Sequence, residues 1–315
     1  MSAGVESAAQ AEAFELPVSH RGPWRQALAR FRRRPLGVVS VGLILVVFLV
    51  GALAGVIAPY YAGQEFLPLI GTAHPPLTAH HLLGTDVLGR DFFTQLLFAL
   101  RETALSSLVC AGGGAAIGVT IGAFAGFYGG WFDEIVSWAT RVVVAVPAIA
   151  VLIVIGIWHT PLPLTPLDDG LWLMALLWTG IARVVRAAVR VQSANEYVEA
   201  ARASGSSSVR ILVRHVLPNV TGTATVAATN VIGQSIAIIA TVDYLGYGHN
   251  QAERPTLGGL VADATAASTQ SLGRAPSIGS VWWLYLIPTA LLILVLLAVS
   301  FAGDALDEAL NPAAA

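Results

Sequence analysis

An all-α polytopic membrane protein with six transmembrane helices is the fold class this sequence predicts, and three observations carry it. The chain of 315 residues is 56% hydrophobic and 11% charged, with a mean hydropathy of +0.71. Soluble domains carry about 25% charged residues. Apolar runs of about 20 residues follow one another, the length needed to cross a bilayer as a helix. The strict period-two alternation of a membrane barrel is absent.

The elements follow in order. Residues 1–35 are polar and end in a basic cluster of Arg21, Arg25, Arg30, Arg32, Arg33 and Arg34. Residues 36–58 form the first span. Ala52-Leu53-Ala54 resembles a signal-peptidase site, but the apolar run exceeds the 7–15 residues of a signal h-region, which favours an uncleaved anchor. Residues 59–102 are mixed and proline-bearing. Five further spans are expected over 105–127, 135–157, 171–189, 220–242 and 281–301. They make a five-helix core over 103–303, interrupted by a polar loop at 193–219 and by a long polar segment at 243–280 and followed by a tail at 304–315.

All 17 basic residues are arginine. Without a lysine the chain can supply neither a P-loop nor a Schiff base. Thirteen arginines fall on one set of loops and helix ends: the six at the N-terminus, Arg141, Arg183, Arg186, Arg190, Arg202, Arg210 and Arg214. Arg90, Arg101, Arg254 and Arg274 fall on the other. The positive-inside rule then places both termini and the 193–219 loop in the cytoplasm of a cell whose inner membrane holds the chain. Ionisable residues gather at span ends, whereas an ion-driven carrier is expected to place them mid-span. Cys110 sits alone in an apolar run, so no intrachain disulfide is possible and a packing role is expected.

Between the first two spans, Gly84-Thr85-Asp86-Val87-Leu88-Gly89-Arg90-Asp91 reads as a tight turn leading into a helix, with Asp91 at its N-terminus. His80, His81 and Asp86 could be imagined around a metal, but adjacent histidines on a loop are usually solvated, and no metal site is expected. Gly114, Gly118, Gly122, Gly126 and Gly130 recur every four residues, a smooth groove for close helix approach within this chain or with another. Arg183, Arg186 and Arg190 share one helix face, and snorkelling to headgroups accounts for them.

The loop reads EYVEAARASGSSSVRILVRHVLPN over 196–219. Its first part is rich in helix formers, and Gly205 between Ser204 and Ser206 supplies a break. A second short helix carries Val209, Ile211, Leu212, Val213 and Val216 as an apolar side and Arg210 and Arg214 as a charged side, and Pro218 closes it before the next span. An interfacial amphipathic helix and a docking element satisfy this pattern equally well.

Here a resemblance decides. Glu199-Ala200-Ala201, Gly205 four residues beyond Ala201 and Leu217-Pro218 twelve beyond Gly205 resemble the EAA loop of type I ABC importer permeases. The wording is similar to the dipeptide/oligopeptide/nickel subgroup, as are Gly84 to Asp91, Phe127-Tyr128-Gly129-Gly130-Trp131-Phe132-Asp133, Tyr244-Leu245-Gly246-Tyr247-Gly248 and Gly303-Asp304. Together they span most of residues 80–312, and the leading segment resembles the C-type subunit of such pairs. His215 stands where the general pattern has isoleucine, and Ile239 where an acidic residue is common.

The resemblance implies a non-catalytic permease subunit, with peptides as cargo and nickel, glutathione or haem-like ligands as alternatives. It implies a second permease chain, an extracytoplasmic solute-binding protein and cytoplasmic ATPases that hold the ATP and magnesium. This chain would itself bind no cofactor and no nucleic acid. Glu199, Ala200, Ala201, Gly205, Arg210, Arg214, His215, Leu217 and Pro218 would form the ATPase-coupling loop. A membrane scaffold that transports nothing would not need the glycine-broken loop.

Overall fold

The computed structural model describes residues 23–65, 73–77, 81–158, 165–248, 254–269 and 281–310. Two short helices, α1 (Pro23–Arg32) and α3 (Ala54–Ile57), flank the apolar α2 (Pro35–Ala52). The remaining helices are α4 (Phe92–Tyr128), α5 (Gly130–Ala145), α6 (Ala148–Trp158), α7 (Pro166–Ser193), α8 (Glu196–Ala203), α9 (Ser208–Ile211), α10 (Leu217–Tyr244), α11 (Leu257–Thr269) and α12 (Trp282–Leu310). Among the described residues β-pairing is confined to two isolated antiparallel bridges, Glu65 with Arg90 and Thr85 with Asp91.

Among the described residues five helices are long and apolar enough to cross a membrane, and the bent pair α5–α6, taken as one span, makes a sixth. Their apolar windows are only 22–39% buried within the chain. Leu45, Val46, Trp138, Leu286 and Ile293 stand outward, more than half exposed. That much open apolar surface is what lipid or a second transmembrane chain covers.

The third span departs from the continuous run expected at 135–157. It bends by 70° between α5 and α6. The cause is Pro147, which has no N–H to donate and forces Val146 out of the helical region to ψ 122°. The fifth span departs in the opposite sense. Pro218 does not close the loop, because α9 continues through a π-helical turn at Leu212–Val216 into α10, giving one span over Ser208–Tyr244. The wide turn relieves the clash that a proline ring makes with the carbonyl four residues earlier, here Arg214.

Boundaries shift for similar reasons. The second span begins at Phe92 rather than at 105, because Asp91 caps it: the carboxylate accepts the Thr94 N–H at 2.8 Å. At 37 residues it is about 55 Å long and projects beyond a hydrocarbon core of about 30 Å. The fourth span begins at Pro166, where Thr165 and Asp168 form a reciprocal capping box. The last runs to Leu310, so the segment expected as a tail from 304 is helical. It is tied to the N-terminal region by an Arg34–Glu308 ion pair of 2.7 Å. The 243–280 stretch, read as polar, contains α11, whose Leu257, Leu260 and Ala264 are buried against α12 and α10.

The most extensive packing is between α4 and α7. A Cβ on Gly118 would lie 2.7 Å from the Trp178 carbonyl oxygen, on Gly122 2.5 Å from that of Ala182, and on Gly126 2.5 Å from that of Arg186. Gly114 lies further out, at 3.8 Å from Trp178 and Ile181. The groove's neighbour is therefore a helix of the same chain. Gly130 is not part of it: it follows the end of α4 at φ +64°, with open space around it.

Candidate functional site: the loop between the fourth and fifth spans

The loop is built as two helical pieces around one turn. Helix α8 ends in a Schellman motif, in which Ser206 N–H donates to the Ala201 carbonyl at 3.1 Å and Gly205 N–H to that of Arg202 at 3.0 Å. The motif needs a left-handed residue, and Gly205 supplies it at φ +80°. A Cβ there would meet nothing within 4 Å, so the glycine is needed for its backbone and not for space.

One side of the loop is anchored. Val198 from α8, Ile211 from α9, Leu212 and Val216 from the π turn and Val220 from α10 are all about 1% exposed or less. They join one apolar core with Val185 and Val189 at the end of α7. Polar ties reinforce it. The Tyr197 hydroxyl donates to Gln192 at 3.0 Å, and the Asn219 amide donates to the Tyr197 hydroxyl at 3.3 Å and to the His215 carbonyl at 2.7 Å.

The other side is bare. Glu196, Glu199, Ala200, Arg202, Gly205, Ser207, Arg210, Val213, Arg214 and Pro218 are exposed. Ala201, His215 and Leu217 are half-buried at the margin. The result is an anchored surface of two carboxylates, three arginines and small residues, joined without a break to a membrane-spanning helix. Such a piece can transmit displacement, because a continuous helix moves as a rod.

Two arrangements near the loop were not visible in sequence reasoning. Asp133, 6% exposed in the first turn of α5, pairs with both Arg186 and Arg190 of α7. These arginines are thus partnered, where snorkelling alone was expected. The Arg202 guanidinium lies 5.8 Å from the centre of the Phe127 ring, within cation–π range.

At the opposite end of the bundle, His81 corrects another expectation. It is 3% exposed rather than solvated, and its Nδ1 lies 2.7 Å from the Asp91 carboxylate. His80 lies outside the described residues. Among the described residues no cluster suited to a metal ion occurs. Beside it Arg90, 4% exposed, donates to Asp86 at 2.6 Å and to Asp263 of α11 at 3.0 Å. Burial pushes the Asp86 carboxyl above the ordinary aspartate value, against the pull of Arg90 and of two backbone N–H groups. Burial also opposes the charge on Arg90, but Asp86 and then Asp263 outweigh it and raise its pKa.

Comparison with known proteins completes the description. Residues 118–315 match the family of binding-protein-dependent transport system inner membrane components. Residues 22–76 match the N-terminal TM domain of oligopeptide transport permease C. The oligopeptide transport system permease protein OppC of Mycobacterium bovis is 30% identical over 290 residues, covering 90% of this chain and 92% of the relative. The dipeptide transport system permease protein DppC of Alkalihalophilus pseudofirmus is 31% identical over 294 residues, covering 92% and 90%. The glutathione transport system permease protein GsiD of Pectobacterium atrosepticum is 30% identical over 295 residues, covering 93% and 92%.

Proposed function

Because the chain belongs to the family of inner membrane components of binding-protein-dependent transport systems, we propose that it is one of two permease chains in an ATP-driven importer of di- or oligopeptides. The chain is a membrane-embedded transport subunit. The peptide cargo rests on the relatives' names, which include a glutathione permease, itself a transporter of a peptide-like molecule.

In this reading both termini and the 196–217 loop face the cytoplasm, where the thirteen arginines favour them. The exposed side of the loop docks into a partner ATPase, which holds the nucleotide and magnesium. Closure of two ATPases pushes the loop, α10 carries the push through the bilayer, and the spans rock from inward-open to outward-open. Substrate arrives from an extracytoplasmic binding protein. This chain performs no bond chemistry.

The observation that carries the proposal is the continuity of the loop's second helix with a spanning helix over Ser208–Tyr244, behind a glycine-fixed turn. Cross-linking tests it. In the assembled transporter with Cys110 replaced by alanine, a cysteine for exposed Ser207 should cross-link to an ATPase subunit. A cysteine for Tyr61, 85% exposed at the opposite end, should not. Equal cross-linking at both positions, or at neither, would remove the loop from the interface.

A further inference from the structure

The end of the bundle away from the loop holds a cavity of about 420 Å³ that nothing so far has used. Phe98, Arg101, Glu102, Leu105 and Val109 of α4 form one wall. Thr165 and Leu167 at the start of α7 form another, and Arg254 closes it from the segment before α11. The volume lies at the small end of the range for ligand sites.

Its charges are arranged unusually for a membrane protein. Arg101 and Arg254 are both exposed to the cavity side, and among the described residues neither takes part in an ion pair or a side-chain hydrogen bond. Glu102 lines the same space and is 6% exposed. Two guanidiniums offer forked donors suited to a carboxylate. A buried carboxylate suits an ammonium. Apolar side chains between them suit neither charge and leave room for uncharged side chains.

We infer that this cavity, at the end of the bundle away from the loop, is a reception site for short zwitterionic peptides, in which Arg101 and Arg254 hold the C-terminal carboxylate and Glu102 faces the α-ammonium. The inference deepens the peptide-importer reading and rests on it. A lipid headgroup is the competing occupant. The small volume and the side-by-side placement of both charge signs favour a compact zwitterion over an anionic lipid.

Two assays on the complete transporter separate the claims. In the first, binding of radiolabelled trialanine to the purified permease–ATPase complex, without binding protein, is measured by equilibrium dialysis. Binding should be saturable. It should weaken about tenfold or more for the C-terminal amide, and by a similar factor for the R101Q/R254Q pair, the loss expected for charged hydrogen bonds. The R101K/R254K pair should recover part of it. Absence of saturable binding, equal binding by the glutamine pair, or displacement of the peptide by anionic lipid but not by unlabelled trialanine overturns the inference. In the second assay, vesicles carrying the wild-type complex and its binding protein are tested for peptide uptake. Uptake without the dialysis result removes only the cavity's role. No uptake of any peptide removes the importer reading with it.

Discussion

Replacing Gly205 should break coupling without dismantling the bundle. The residue sits at φ +80°, where an L-residue with a Cβ costs about 1–2 kcal/mol. No steric term adds to this, because a Cβ would meet nothing within 4 Å. One to two kcal/mol shifts a local equilibrium by a factor of roughly 5–30. That is enough to open the Schellman turn in a sizeable fraction of molecules and too little to unfold a core anchored by Val198, Ile211 and Val216. Asparagine tolerates the left-handed region better than alanine, and β-branched valine tolerates it worst. Uptake should therefore fall in the order Gly, Asn, Ala, Val at constant membrane abundance. Gly205→Asp should also stay in the membrane; its backbone strain matches asparagine's, so its uncoupling comes from a new negative charge on the exposed side of the loop. Hydrogen exchange gives the direct readout: the Ser206 amide, bonded to Ala201, should exchange faster in the same order. A valine variant that protects this amide and transports like wild type would refute the reasoning.

Other consequences follow from the packing. Gly122→Val should destabilise the α4–α7 pair by about 1–3 kcal/mol, seen as a lower detergent melting temperature, because the atoms it would strike are backbone atoms of Ala182. Gly112→Ala, on the same helix with nothing within 4 Å, should melt at least as high as wild type. Arg90→Ala should cost about 3–5 kcal/mol, because it leaves Asp86 buried and charged. The Asp86 carboxyl already titrates above its unfolded value, so protonation is favoured by folding. The stability deficit of Arg90→Ala should accordingly be small in acid and grow as pH rises through the Asp86 pKa; a deficit independent of pH would exclude a buried unpaired carboxylate.

The apolar runs expected as spans each overlap a long apolar helix or the bent α5–α6 pair, because bilayer crossing demands only composition and length. They passed over the bend at Pro147 because a hydropathy window counts proline as one weakly apolar residue and not as a missing donor. Pro218 failed in reverse. In sequence it reads as a terminator, and in the fold a π turn absorbs it. The break at Gly205 was legible because glycine between serines has a local cause for its conformation. The pairing of Asp133 with Arg186 and Arg190 joins residues more than fifty positions apart, and no local pattern announces it. The same holds for the Arg90–Asp263 contact and for the cavity, whose walls come from three separated segments. Helix α11 was hidden because the 243–280 stretch was read by its average polarity, whereas its apolar residues 257, 260 and 264 lie on one face.

The central claim is that this chain is one part of a driven assembly. Purifying it, tagged, from its native membrane in mild detergent and identifying stoichiometric partners by mass spectrometry tests that claim most directly. The account predicts a second permease and one or two P-loop ATPases, with a solute-binding protein that leads to the cargo. Recovery of the chain alone, under conditions that hold other membrane complexes together, would contradict it and leave the 196–217 loop as an interfacial helix.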